Sequence, residues 1–149
     1  MRNLKPKKRP FGIAALSVFF LLGSLISFTA GISLLLPSSF VQAMWRLNPH
    51  GHEGLLRIGL WGVALMFVVS ASCAAAAIGL WLCTRWGHTI AIVLVAINLL
   101  SDVVNAALGI EPRAIIGVPI ALVILLYLVS RRVRNHFAQA GEGLANSRQ

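Results

Sequence analysis

Four stretches of this chain, residues 11–36, 58–83, 89–110 and 114–130, contain one charged residue between them, Asp102. A helix needs about 20 apolar residues to cross a bilayer, and each stretch comes near or above that length. In lipid the backbone must satisfy its own polar groups. Long apolar runs without alternation do so as helices. The expected fold is therefore an all-α membrane protein, with four transmembrane helices in an antiparallel bundle. Only 11% of the 149 residues are charged, against about 25% in soluble domains. Little is left for a soluble domain: a basic tail at 1–10, a membrane domain at 11–130 and a second basic tail at 131–149.

The first run follows a basic segment, as a secretory signal would. Signal cores span only about 7–15 residues and end at a small-x-small site. This run continues through Gly31-Ile32-Ser33-Leu34-Leu35-Leu36, so an uncleaved first helix is expected. Four spans put both ends of the chain on one side. That side would carry Arg2, Lys5, Lys7, Lys8, Arg9, Arg85, Arg131, Arg132, Arg134 and Arg148, and the other only Arg46, Arg57 and Arg113. By the positive-inside rule both termini are cytoplasmic, and the expected location is an inner (plasma) membrane. The net charge of +9 then suits contact with anionic lipid head groups, not nucleic acid.

Connections differ in length. Residues 84–88 and 110–112 make short turns, so the second, third and fourth helices should be sequential antiparallel neighbours. The outer connection after the first helix is longer. Its 38–47 part, with Phe40, Met44 and Leu47 on one face, predicts a short interfacial helix. Residues 48–54 read as a turn. Trp61 and Trp81 stand twenty residues apart on the second helix, about 30 Å, and should mark the two membrane interfaces. Small residues from Ser70 to Ala77, and the Ser27/Gly31 pair, allow close helix packing within the bundle or between copies. Partners beyond lipid are thus a homo-oligomer or a larger membrane complex.

Asp102 is the chemical singularity. Asn98, Ser101 and Asn105 lie with it on an arc of roughly 100° of one helix. An ionisable group inside a membrane faces protein, water or a partner, and it marks a site by default. Pro119 of the fourth helix lies at nearly the same depth and leaves the Ile115 carbonyl without its usual donor. Gly117 gives close backbone access there. Thr29 of the first helix should be level with Asp102, and Ser33 slightly above. Arg57 and Arg113 are the candidate ion partners. Either this group binds helices together or it serves a proton, ion or ligand. His50, His52 and Glu53 form a weak second candidate, for a metal. No enzyme, zinc, redox or phosphate-binding motif occurs, so neither catalysis nor a cofactor is expected.

Gly79-Leu80-Trp81, Arg85-Trp86-Gly87, Tyr127-Leu128, Val133-Arg134 and Phe137 together resemble small uncharacterised four-span bacterial inner-membrane proteins. The resemblance covers the last three helices. It implies topology and a bacterial source, with no activity to transfer. Two roles follow as expectations. One is a non-enzymatic accessory subunit or scaffold. The other is a small oligomeric transporter or proton-coupled carrier using Asp102. Orientation is testable directly. In a Cys73→Ala, Cys83→Ala background, an impermeant maleimide should label Glu53→Cys in intact cells, and Ser147→Cys only after permeabilisation. Labelling of Ser147→Cys in intact cells would refute a cytoplasmic C-terminus.

Overall fold

A computed structural model of the chain describes residues 11–36, 45–46, 48–109, 114–131 and 133–134. Five helices occur among them and no strand: α1 Phe11–Leu35, α2 Pro49–Arg57, α3 Leu60–Trp81, α4 Arg85–Ala107 and α5 Ala114–Val129. The helices α1, α3 and α4 are each long and apolar enough to cross a membrane. The apolar α5 has 16 residues, or about 24 Å of rise, short of a ~30 Å hydrocarbon core.

Two local expectations are corrected. Residues 49–57 are helical where a turn was expected over 48–54. Asn48 caps this helix by accepting from the Gly51 backbone N–H at 2.8 Å, and Pro49 supplies the fixed φ suited to a first turn. At Gly59 a φ of +57° lets the chain break between α2 and α3. The second correction is at α4, which begins at Arg85 instead of Thr89. The Thr84 hydroxyl accepts from the Gly87 N–H, so residues 85–88 become the first turn of the helix. Of the interfacial helix expected over 38–47, only Trp45 and Arg46 are described, in a 3₁₀ turn. The rest lies outside the described residues, as do residues 1–10, Arg132 and residues 135–149.

Consecutive apolar helices pack as neighbours, and α1 makes its most extensive contact with α3. That seam is antiparallel: Ser24 meets Ser70, while Gly31 meets Met66 and Phe67. The Ser70 hydroxyl donates to the Ser24 carbonyl at 2.9 Å. Ser17, Ser24 and Gly31 recur every seven residues, and all three are buried. Ser27, by contrast, lines a cavity shared with α4 and α5. Without a hydrophobic drive between helices in lipid, such small residues let dispersion and hydrogen bonds hold the pair.

The tightest packing lies where α1 begins and α3 and α5 end. Ile13, Leu80, Leu128 and Val133 are fully buried there. Gly79 and Gly87 press backbone on backbone, and a Cβ on either would overlap the other. The His88 Nε2–H donates to the Leu128 carbonyl at 2.8 Å, tying α4 to α5. Gly12 leaves room for the Tyr127 ring. Trp61 and Trp81, at the two ends of α3, are both exposed, as interface anchors would be.

The Gly79–Gly87 contact predicts an asymmetry among glycines. Gly87→Ala should cost about 1–3 kcal/mol, because backbone has to move to admit a methyl. Gly54→Ala meets open space on α2 and should gain about 0.5–1 kcal/mol of helix preference. Thermal unfolding in detergent reads both, and equal shifts for the two variants would contradict the contact.

Candidate functional site

Asp102 projects from α4 toward α5. A Cβ built on Gly117 would come within 2.5 Å of the Asp102 Oδ2. Any larger residue at 117 would therefore displace the carboxylate. Asp102 is half-buried, and among the described residues no hydrogen bond or ion pair reaches it. Arg57, one of its expected ion partners, is exposed at the last turn of α2. The other, Arg113, lies outside the described residues.

The carboxylate lines a cavity of about 390 Å³ between α1 and α3 on one side and α4 and α5 on the other. From α1 come Phe19, Phe20, Gly23 and Ser27, and from α3 Val69 and Cys73. Asn98 lines it one turn from Asp102 on α4, with Gly117, Ile120 and Ala121 opposite on α5. Polar groups gather at the Gly117 end, where Ser27, Asn98 and Asp102 lie. The opposite end, around Phe20, Leu94 and Ile124, is apolar. Phe19, Ile97, Asn98 and Ile120 are also exposed on the outer surface, so the cavity opens sideways between helices. Its size falls within the range of about 300–1,000 Å³ common for small-molecule sites.

The sequence-derived set divides here. Asn98 and Asp102 share the cavity. Asn105 is half-buried but outside the lining, and Ser101 is exposed. Pro119 faces outward and takes no part in the lining. It lies two residues from Gly117, so about 200° around α5. Thr29 is exposed and turned onto its own helix, donating to the Leu25 carbonyl at 2.8 Å. The α1 hydroxyl that reaches the cavity is Ser27. Ser33 donates to the Ala30 carbonyl and accepts from the Trp45 indole N–H at 2.9 Å.

The metal candidate takes a different shape. His50, His52 and Glu53 all lie on α2, where successive residues fan out by about 100° each. The His52 ring stacks on Trp45 with centroids 4.6 Å apart. Among the described residues no three metal-ligating side chains come together.

The sequence reading missed the α1 and α3 side of the cavity. Ser27 and Cys73 read there as small packing residues, and only the antiparallel seam brings them level with Asn98. No family model, curated protein or solved structure matches this chain. The chemistry of the cavity therefore carries the functional argument alone.

That chemistry is a half-buried carboxylate at the mouth of an apolar space, resting on a glycine. A double-mutant cycle of Asp102→Ala with Gly117→Ala should show a coupling of about 0.5–1 kcal/mol in detergent unfolding. Strict additivity would mean that the carboxylate does not rest on α5.

Proposed function

We propose that this chain is a small four-span membrane protein, both termini cytoplasmic, that holds an apolar or amphiphilic small molecule beside Asp102. The role is binding, not catalysis. A single carboxylate with no second acid or base at its depth among the described residues makes a poor proton-transfer pair. The cavity carries the reading: about 390 Å³, apolar through most of its wall, with Ser27, Asn98 and Asp102 at one end. Small-molecule sites are built in this way, from a mostly apolar pocket and a few polar groups that fix orientation. In this reading α5 crosses with help from Arg131, whose side chain can extend to the interface. Accessory-subunit and carrier roles both draw on such a site, the carrier by moving what the cavity holds.

One observation favours a second reading, that of a scaffold. Asp102 rests on Gly117, so its carboxylate would serve only to join α4 to α5. Interhelical polar contacts of that kind contribute about 0.6 kcal/mol on average.

The two readings part on ligand binding. In lipid nanodiscs, energy transfer from the tryptophans to the neutral fluorophore diphenylhexatriene should saturate at one site per chain. Gly23→Leu should remove the saturable part. Gly23 lines the cavity, and a Cβ there makes only an ordinary contact to Cys73; wild-type-like thermal unfolding of the variant reports that the α1–α3 seam is kept. Transfer no greater than simple partitioning into lipid, and unchanged by Gly23→Leu, would leave the scaffold.

A further inference from the structure

Charge selects among the molecules that such a cavity could hold. Asp102 is the sole acidic residue in α1, α3, α4 and α5. The other titratable group lining the cavity is the Cys73 thiol. No cationic side chain among the described residues pairs with Asp102. A carboxylate drawn partly out of water is costly unless it meets an opposite charge. In a low-dielectric surround that attraction is several times stronger than in water.

Shape adds a second constraint. The carboxylate, Asn98 and Ser27 stand at the Gly117 end, while Phe20, Leu94 and Ile124 form an apolar floor at the other. An occupant matching both ends has a charged head and a compact apolar body. The lateral opening past Phe19, Ile97 and Ile120, all exposed and apolar, leads into the hydrocarbon region. An amphiphile already dissolved in the bilayer reaches the cavity by that route without crossing water.

We propose that the occupant is a cationic amphiphile bearing one ammonium-type charge, its head against Asp102 and its body toward Phe20. This rests on the ligand-binding reading above and gives it a substrate class. Anionic amphiphiles are repelled by the same carboxylate. Neutral ones gain only the apolar contact.

A matched pair of probes tests it: diphenylhexatriene and its trimethylammonium derivative, each titrated in nanodiscs of neutral lipid. The cationic probe should bind wild-type protein more tightly than the neutral one. Asp102→Asn should weaken the cationic probe at least about tenfold more than it changes binding of the neutral probe. Asp102→Glu, which keeps the charge, should retain part of the preference. Gly23→Leu should remove saturable binding of both. Saturable neutral binding with no preference for the cation, or a preference that survives Asp102→Asn, would overturn the charge assignment while the cavity reading stands. Absence of saturable binding for either probe would overturn both.

Discussion

Backbone-to-backbone contact between Gly79 and Gly87 governs much of this architecture. With only Leu82, Cys83 and Thr84 between α3 and α4, the two helices leave their turn almost touching. Thr84 fixes the geometry twice, capping α4 and donating to the Gly79 carbonyl at 3.0 Å. Both backbones are then set at one end, and the side chains further along decide how far the helices diverge. Near the turn lie glycine, alanine and a buried histidine bonded to α5. Further on, the buried Phe20 and the exposed Phe19 of α1 line the cavity between the pairs.

The cavity follows from that asymmetry. Beyond its apolar end the bundle is closely packed, with Leu80, Leu128, Ile13 and Val133 all fully buried. At mid-length Phe19 and Phe20 of α1 line the cavity, and α3 contributes Val69 and Cys73. Protein interiors close such gaps unless the surrounding geometry is already fixed. Here the Gly79–Gly87 contact, the Ser24–Ser70 bonds and the His88–Leu128 bond fix it from three sides. An apolar cavity is dry and takes apolar matter readily. One with a carboxylate at its mouth has a reason to be selective.

Much of this was legible in the sequence, and for identifiable reasons. Long uncharged runs determine helices because lipid offers the backbone no other partner, and α1 matches its run to within one residue. Helix starts were less legible. Thr84 and Asn48 act through single side-chain caps, and the apolar pattern around them is silent about caps. Asp102 stood out because a charge among apolar residues is expensive, and Gly117 because it followed at the matching depth on the next helix. Pro119 was assigned to the site on its depth and on the Ile115 carbonyl it leaves without a donor. Depth does not determine azimuth, and a step of two residues from Gly117 turns Pro119 to the outer face. Ser27 and Cys73 could not be found from spacing on their own helices, since their role depends on which face α1 presents to α4.

The same geometry reconciles the two roles weighed for Asp102. A carboxylate that only joined helices would gain most from a donor on the facing helix. The facing position is Gly117, which offers no side-chain donor, and α5 passes close enough to exclude any larger residue there. Glycine at that point serves the carboxylate's position more than its bonding. It lets α5 approach with the carboxylate against Gly117 while Asp102 stays on the cavity lining. Asn98, one turn away on the same wall, brings an amide that can both donate and accept. A charged head held between that amide and the carboxylate would be satisfied on two sides, with α5 as a backstop. On the proposed reading packing and binding are one arrangement: the approach of α5 that closes the helix pair also holds Asp102 on the cavity lining.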